Sequence, residues 1–196
     1  KHQKEEIEKN EIVYNSKKKK LIDWGYMTGT ADGVFGQKTY DGVVKFQRKN
    51  GLSADGIVGK RTASALGISL GGSVSASAHN ESESYILARL VHGEARGEPY
   101  VGKVAVAAVV LNRVKSASFP NTIAGVIFQT GAFDAVADGQ YNLTPDADSI
   151  RAAKDALAGW DPTGGCLYYF NPVTATSKWI WTRTIQLTIG KHHFAI

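Results

Sequence analysis

The chain has 196 residues and a single cysteine, Cys166, so no disulfide can form within it. It contains no run of about 18 apolar residues, which excludes a membrane-spanning helix. No basic n-region followed by an apolar stretch opens the chain, so we expect any export signal to be absent or already removed. Because no His–Asp pattern accompanies Cys166, it is predicted to be a small core residue rather than a nucleophile.

Signals for metals and cofactors are also missing. No set of His, Cys and Asp residues has metal-ligand spacing, and no Gly-rich phosphate loop is present, so we expect no cofactor. The formal net charge of +5 favours a polyanionic partner, whether nucleic acid, an anionic polymer or a membrane surface. A basic run at Lys17 to Lys20 lacks interleaved aromatic residues, which argues against nucleic acid.

Composition divides the chain into four segments. The first is almost entirely polar and is predicted to be weakly packed. The third is rich in Gly and Ser and is predicted to be a short flexible linker. The second and fourth each carry patterned apolar residues and are predicted to be domains. The four segments are residues 1–20, 21–68, 69–79 and 80–196.

The first predicted domain contains an internal repeat. Asp32-Gly-Val-Phe-Gly36 recurs after 23 residues as Asp55-Gly-Ile-Val-Gly59, and Thr39 and Thr62 follow at the same spacing. Each unit is predicted to be an Asp-Gly turn followed by a helix that the threonine opens. Because two such short units cannot each bury an apolar face alone, they are expected to pack on one another.

This segment resembles the small peptidoglycan-binding domain found beside many cell-wall hydrolases. That resemblance implies a small helical domain that binds the cell wall. The residues that carry it are Gly25-Tyr26, Gly29, Asp32-Gly33, Phe35-Gly36, Thr39, Phe46-Gln47, Gly51-Leu52, Asp55-Gly56, Val58-Gly59, Thr62 and Leu66.

In the second predicted domain, an acidic residue lies on the apolar side of a helix. Apolar residues at helical spacing predict a helix over residues 80–95, with Asn80 and Glu83 as its capping pair. Glu94 lies four residues after Leu90, on the stripe that faces the core. Burial disfavours the ionised carboxyl, so its pKa is expected to be raised, as a general acid requires.

A structural role for Glu94 is the alternative, in which Arg89 or Arg96 merely satisfies its charge. The glycines beside it, Gly93 and Gly97, are predicted to leave room for a ligand to approach the backbone. This stretch of sequence alone leaves both interpretations open.

Further along the domain, helical patterns precede β-rich ones. Residues 101–114 are apolar almost all round, which predicts a buried central helix. Asn112 and Arg113 at its end are predicted to cap its carbonyls, although holding a cleft from behind is an alternative. Residues 131–140 are predicted to be a loop or short hairpin, and Thr144-Pro145 to open a further helix. From Leu167 onward, β-branched and aromatic residues predict short strands or extended loops.

This second domain resembles the catalytic domain of the SleB family of spore cortex-lytic enzymes and related cell-wall hydrolases. The resemblance implies an α+β chain: a small helical peptidoglycan-binding domain, then a mostly helical lysozyme-like catalytic domain with a few short strands. It also implies a lytic transglycosylase whose one catalytic glutamate is Glu94. The residues that carry it are Gly93–Tyr100, Val104–Ala108, Leu111–Arg113, Phe119–Asn121, Ala124–Phe128, Ala135–Gln140, Gly159–Pro162, Tyr168–Pro172, Ala175–Ser177, Trp179–Trp181, Ile189–His192 and Phe194.

A single carboxyl is sufficient for this chemistry. Hydrolysis of a glycosidic bond normally needs two carboxyls, whereas in a lytic transglycosylase the 6-hydroxyl of muramic acid itself attacks the anomeric carbon. Glu98 lies in a bend next to Pro99 and is predicted to be a helix N-terminal acid or a support to Arg96. Asp134 and Asp138 are weaker candidates for a second acid, and Asp138-Gly139 is predicted to form a turn.

Residues that suit a sugar-binding cleft occur in the same segments. Aromatic faces and amide groups hold sugar rings. For each aromatic residue a place in the core is the alternative, and for a histidine in a strand a structural hydrogen bond. The candidate substrate-binding residues are Phe133, Gln140, Tyr168, Tyr169, Asn171, Trp181 and His192.

The sequence thus predicts a peptidoglycan lytic transglycosylase of the spore cortex or cell wall that acts during germination. A muramidase that uses water, or a wall-binding protein without activity, are the alternatives. The expected partners are peptidoglycan glycan strands, with room for a regulatory protein in the spore. A monomer with no bound nucleic acid and no membrane span is also expected.

Overall fold

The computed structural model describes the backbone of residues 15–68 and 76–196 and the side chains of residues 15–68 and 83–196. The predictions for residues 1–14, and for most of the linker predicted at 69–79, lie outside the described residues. The chain divides into two compact units, residues 1–86 and 87–196. In the described part of the chain, no helix has the length and apolar character needed to cross a membrane.

The first unit contains helices α1 (residues 15–23), α2 (Gln37–Lys49) and α3 (Lys60–Ala65). The repeated Asp-Gly pairs form equivalent turns. The Asp32 carboxylate accepts the N–H of Val34 at 3.1 Å, and that of Asp55 accepts the N–H of Ile57 at 2.9 Å. The turn prediction is therefore confirmed, since each repeat satisfies its backbone through an aspartate side chain.

The threonines do not open the two helices. Glycines occupy the N-cap positions instead, Gly36 for α2 and Gly59 for α3. Thr39 and Thr62 lie inside the helices and are buried. That prediction was wrong because a glycine can take the extended N-cap conformation with no side chain to hydrogen-bond.

The basic run at the start of this unit is helical and packed. Residues 15–20 belong to α1, and Lys17 and Lys18 are buried. Burial lowers the pKa of Lys17 to about 8. The Lys18 ammonium pairs with the Asp32 carboxylate. The expectation of a weakly packed segment is thus wrong for residues 15–20, because long lysine stems can cover apolar surface.

Two long helices come next along the chain: α4 (Ala76–Ala95), which spans the division at residue 86, and α5 (Tyr100–Lys115) in the second unit. Because α4 starts at Ala76, Asn80 lies inside the helix and cannot be its N-cap. Val104, Val106, Val109 and Val110 of α5 are completely buried, which confirms the central helix. α5 packs against the helix α8 described below and against the sheet.

Three shorter helices follow: α6 (Ile123–Ile127), α7 (Asp134–Ala137) and α8 (Ala147–Leu157). The one-turn helix α7 and a 3₁₀ turn at Gln140–Asn142 occupy the segment predicted as a loop or hairpin. Asp146, rather than Thr144, caps α8 by accepting the N–H of Ser149 at 2.8 Å. A carboxylate next to the first turn is the stronger cap.

The chain ends in a three-stranded antiparallel sheet of order β1-β3-β2, with β1 at Tyr168–Phe170, β2 at Ile185–Ile189 and β3 at His192–Ala195. Tyr169 faces Phe194 across the sheet. The Trp179–Trp181 segment contains a 3₁₀ turn, Ile180–Thr182, and no strand. The architecture is α+β and mostly helical, as predicted.

A small core joins α5 to the sheet. Ala105 and Val109 of α5 pack with Cys166 and Phe194, all fully buried, and Tyr169 lies against this cluster. Burial raises the pKa of the Cys166 thiol. Its place in the core is therefore confirmed, and the same packing fixes the position of strand β1 relative to α5.

Candidate active site

The carboxyl of Glu94 lies near the end of α4 and is held by two donors from distant parts of the chain. The N–H of Ala135, in α7, donates to Oε1 at 2.8 Å. The hydroxyl of Tyr169, in β1, donates to Oε2 at 2.9 Å. Both oxygens are thus fixed, which sets the orientation of a carboxyl that is itself partly buried.

None of the described arginines forms an ion pair with this carboxyl, although the Arg113 guanidinium interacts with its charge at longer range. In the described part of the chain, Glu94 makes no ion pair, and Arg89 instead donates to the carbonyls of Asn142 and Leu143. The alternative in which Arg89 or Arg96 satisfies Glu94 is therefore wrong. The reason is that Arg89 is buried on another side of α4, where two backbone carbonyls need donors.

Burial raises the pKa of Glu94 above its usual range. The hydrogen bonds from Ala135 and Tyr169 oppose that shift, because each stabilises the ionised form. The negative charges of Asp134 and Asp138 add to it. A carboxyl that keeps its proton closer to neutral pH is suited to donate it as a general acid.

Gly93 gives room to α7 rather than to a ligand. A Cβ built at Gly93 would lie 2.7 Å from the methyl carbon of Ala135 and 3.4 Å from the backbone carbon of Gln140. The absence of a side chain thus lets α7 approach α4 closely enough for its N–H to reach Glu94. At Gly97, by contrast, no atom lies within 4 Å of such a Cβ, so the space beside Gly97 is unoccupied by the protein.

Tyr169 is the second fixed point of the site. Its ring stacks on Phe133 at a centroid distance of 6.4 Å and meets the rings of His192 and Phe194 at 5.1 and 5.9 Å. Burial and the neighbouring Glu94 charge hold the Tyr169 pKa well above its usual value, so its hydroxyl remains a donor. The ring is therefore locked from several sides.

Arg113 lies beside this group and does not cap α5. Its Nε donates to the carbonyl of Leu167 at 2.7 Å, and Asn112 donates to Asp161 and to the carbonyl of Cys166. Capping was therefore the wrong prediction, because the loop before β1 offers stronger acceptors. The Arg113 guanidinium lies 5.1 Å from the ring centres of Phe119 and Phe133.

Arg113 is the residue that sequence reasoning undervalued. It is buried, and burial lowers its pKa while the charge of Glu94 and the neighbouring tyrosines oppose that shift. The available signal was an arginine at the end of an otherwise apolar helix, since a buried guanidinium needs specific acceptors or aromatic faces.

Glu98 is a structural residue of the β2–β3 turn. Its Oε2 accepts the N–H of Lys191 at 2.9 Å and lies 4.0 Å from Nδ1 of His192. The described residues show no contact with Arg96, so the predicted support to Arg96 is wrong. The carboxyl instead turns toward the hairpin, whose Gly190 has no side chain to exclude it.

The other candidates are placed as follows. Phe133 is buried behind Tyr169, and His192 packs against the Tyr169 ring with 12% of its side chain exposed. Gln140 is bound at its backbone and side chain by Asp138, which confirms the predicted turn at Asp138-Gly139. Their roles in binding substrate stay predictions.

Tyr168, Asn171 and Trp181 lie around the same strand. Tyr168 contacts Phe119 and the Arg113 guanidinium. Asn171 accepts the N–H of Val173, and Trp181 packs edge-on against Phe170. None of the three contacts Glu94 among the described residues. Nor do the described side chains include any group of three or more His, Cys, Asp or Glu that could hold a metal ion.

Two family models match the chain. The cell wall hydrolase model matches residues 97–195, and the peptidoglycan binding domain model matches residues 17–66. Glu94 lies just before the first of these ranges. A spore cortex-lytic enzyme of Bacillus cereus is 48% identical over 200 residues, which cover 87% of this chain and 77% of the relative. One from Oceanobacillus iheyensis is 41% identical over 87% of this chain and 79% of the relative.

Solved structures agree with these relatives. The catalytic domain of the Bacillus cereus SleB protein is 63% identical with a TM-score of 0.56, covering 58% of this chain and 89% of that one. The catalytic domain of the germination-specific lytic transglycosylase SleB from Bacillus anthracis is 58% identical with a TM-score of 0.56, covering 66% of this chain and 100% of that one. The chain therefore belongs to the family of spore cortex-lytic enzymes, with a peptidoglycan binding domain followed by a cell wall hydrolase domain.

Proposed function

We propose that this chain is a germination-specific lytic transglycosylase. It cleaves the β-1,4 bond between muramic acid and glucosamine in spore cortex peptidoglycan and leaves a 1,6-anhydromuramic end. The observation that carries the proposal is the Glu94 carboxyl, whose pKa is raised and whose two oxygens are held by Ala135 and Tyr169. The parts of the proposal that concern the spore cortex and germination are taken from the names of the relatives.

In the first step, protonated Glu94 donates its proton to the oxygen of the scissile bond. The bond from that oxygen to C1 of muramic acid breaks, and positive charge develops at C1 and the ring oxygen. The newly formed carboxylate faces this charge, while the Ala135 N–H and the Tyr169 hydroxyl hold it in place. Fixed donors of this kind require no reorganisation during the reaction.

In the second step, Glu94 acts as the base. Its carboxylate removes the proton of the 6-hydroxyl on the same muramic acid, and O6 bonds to C1. The anhydro ring closes without water, and Glu94 is protonated again for the next turnover. The raised pKa favours the first step, because it keeps a larger fraction of Glu94 protonated, and the carboxylate formed in that step is the base for the second.

A second carboxylate would point to a muramidase instead. Glu98 is committed to the Lys191 N–H. Asp134 and Asp138 are exposed and raise the Glu94 pKa through their charge. If one of them activated water, the product would carry a reducing muramic end. Product analysis must therefore distinguish hydrolysis by water from the proposed transglycosylation.

We extend the proposal to the whole chain. The segment predicted at residues 21–68, together with residues 15–20 of α1, tethers the enzyme to peptidoglycan, and the domain predicted from residue 80 cleaves it. Because α4 begins at Ala76, the linker predicted at residues 69–79 is shortened to residues 69–75. Tethering raises the effective concentration of glycan at Glu94. An exported monomer in the spore cortex or cell wall, open to control by a regulatory protein, completes the proposal.

The test is digestion of spore cortex peptidoglycan by the full chain, with mass spectrometry of the products. Wild type should give anhydromuramic ends, whereas reducing ends would favour the muramidase. Glu94→Gln should lower the rate at least 100-fold, because general acid–base catalysis contributes about that much. A Glu94→Gln chain that keeps full activity would contradict the mechanism.

Asp134→Asn is the matched control. It removes one exposed carboxylate close to the same site, at the first position of α7. We expect it to retain activity within about tenfold of wild type and to form anhydro products. A loss equal to that of Glu94→Gln would identify Asp134 as a second catalytic carboxyl.

A further inference from the structure

We propose that Arg183, Trp179 and Tyr168 form a subsite for the acidic peptide stem carried by muramic acid, where Arg183 binds a stem carboxylate. This inference rests on the proposed function, since it assumes peptidoglycan as the substrate. The subsite would determine which glycan strands bind tightly, and none of its residues takes part in the reaction at Glu94.

The subsite is built by a short turn. The N–H of Thr182 and the N–H of Arg183 donate to the carbonyls of Trp179 and Ile180, and the Thr182 hydroxyl closes the turn on the Trp179 carbonyl at 2.7 Å. In this turn the side chains of Trp179 and Arg183 come together, with the guanidinium 4.9 Å from the indole centre. Their arrangement is thus fixed locally.

Tyr168 connects the turn to the active site. Its ring meets Trp179 edge-on at 5.1 Å, and the Arg183 guanidinium lies 6.0 Å from its centre. The Arg113 guanidinium lies over the same ring at 5.5 Å. Tyr168 is followed in β1 by Tyr169, which donates to Glu94. The same Arg113 guanidinium lies 5.1 Å from the ring centre of Phe133, which stacks on the Tyr169 ring, so Arg113 and Phe133 connect this aromatic group to the site of Glu94.

Arg183 has hydrogen-bonding capacity that the protein does not use. In the described ranges no carboxylate pairs with it and no group accepts a hydrogen bond from its side chain, and its buried Nε lacks a partner. Arg89 and Arg113, by contrast, donate to backbone carbonyls. Since a guanidinium favours bidentate pairing with a carboxylate, Arg183 is an available receptor for one.

The surrounding charge favours an anion. Residues 162–196 contain no Asp or Glu, but include Lys178, Arg183 and Lys191. Trp179 is 51% exposed and offers an aromatic face. Glycan and peptide stem together present both complementary features, a sugar face for the indole and free carboxylates for the cation. A strand whose stems have been removed, and whose remaining lactyl carboxylates have been converted to amides, presents only the first.

The experiment compares two soluble substrates: glycan strands that carry stem peptides, and the same strands after an amidase has removed the stems and the lactyl carboxylates left behind have been converted to amides. The readout is the ratio of kcat/KM for the first substrate to kcat/KM for the second. We expect wild type to prefer the peptide-bearing strands and Arg183→Gln to lower the ratio about tenfold or more, as the loss of a charge-assisted hydrogen bond predicts.

Arg151→Gln is the control, because Arg151 also lies over an aromatic ring, 4.2 Å from the centre of Tyr100, and loses the same charge. Its ratio should equal that of wild type. Arg183→Lys, which keeps the charge without the bidentate fork, should lose part of the preference and replaces Arg183→Gln if that variant does not fold. Folding is checked by circular dichroism.

A wild-type ratio near one, or an equal loss on both substrates, would overturn the subsite. The ratio of kcat/KM values does not depend on whether the products carry anhydro or reducing ends. Failure of the transglycosylase proposal would therefore be detected by product analysis and not by this ratio. If the chain cleaves neither substrate, calorimetry on the Glu94→Gln chain measures its affinity for each of the two strands and shows whether stem peptides improve binding. Equal affinities would then reject the proposal, and a preference abolished by adding Arg183→Gln would support it.

Discussion

Gly93 and Ala135 are in contact at the place where α4 meets α7. A Cβ at Gly93 would approach the Ala135 methyl carbon to 2.7 Å, closer than nonbonded carbons tolerate. The same Ala135 donates its N–H to the Glu94 carboxyl. The glycine next to Glu94 therefore controls one of the two hydrogen bonds on that carboxyl, although it touches no substrate.

Gly93→Ala should push α7 away and lengthen the bond from Ala135 to Glu94. We expect kcat to fall at least tenfold and stability to fall by about 1–3 kcal/mol, as for other overpacked sites. Rates on cortex fragments and denaturant unfolding measure the two effects. Gly97→Ala is the control, because nothing lies within 4 Å of its added carbon, and a loss of equal size there would contradict the packing argument.

Tyr169→Phe should move the pH–rate profile. The Tyr169 hydroxyl stabilises ionised Glu94, so its removal raises the Glu94 pKa further. Because the first step needs protonated Glu94, the alkaline limb should move to higher pH, while the maximal rate falls about tenfold from lost orientation. Tyr168→Phe removes a hydroxyl that does not reach Glu94, and its alkaline limb should match that of wild type. An unmoved limb in Tyr169→Phe would show that Glu94 is not the titrating acid.

Gly190→Ala should be more damaging than Gly164→Ala. Both glycines have positive φ, +57° and +66°, so both variants lose about 1–2 kcal/mol from the left-handed backbone. Only at Gly190 would the added carbon also collide with the Glu98 carboxylate, 1.9 Å away, and disturb the Lys191 hydrogen bond. Urea unfolding of the catalytic domain should show a larger loss of unfolding free energy for Gly190→Ala than for Gly164→Ala. Equal losses in the two variants would argue against a structural role for Glu98.

Gln47→Leu should destabilise the peptidoglycan-binding unit by about 2–3 kcal/mol. The buried Gln47 amide accepts the N–H of Gly56 and lies within 2.9 to 3.2 Å of acceptors on Asp55, Ile57 and Thr62. It therefore joins the second turn of the repeat to α2. Exchange of the Gly56 amide hydrogen should accelerate accordingly. Gln37→Leu, at the start of α2, removes only an exposed hydrogen bond to Asp41 and should change stability by less than about 0.5 kcal/mol.

Local patterns were sufficient for much of the fold. The Asp-Gly turns and the apolar α5 follow from residue types a few positions apart, and the structure contains both. Helix boundaries were less predictable. α4 extends back to Ala76, and α1 includes the Lys17 to Lys20 run, because tertiary packing can override capping and charge preferences.

The sequence by itself determined that Glu94 lies on the apolar side of a helix, since helical spacing and burial follow from the identity of near neighbours. It could not determine the donors on that carboxyl, because Ala135 and Tyr169 lie 41 and 75 residues away along the chain. Nor could it show that Arg89 turns elsewhere, or that Arg183 lies against Trp179 and Tyr168 with no acidic partner among the described side chains. These relationships depend on how α4, α7 and the sheet pack, and packing distances are properties of the folded chain alone.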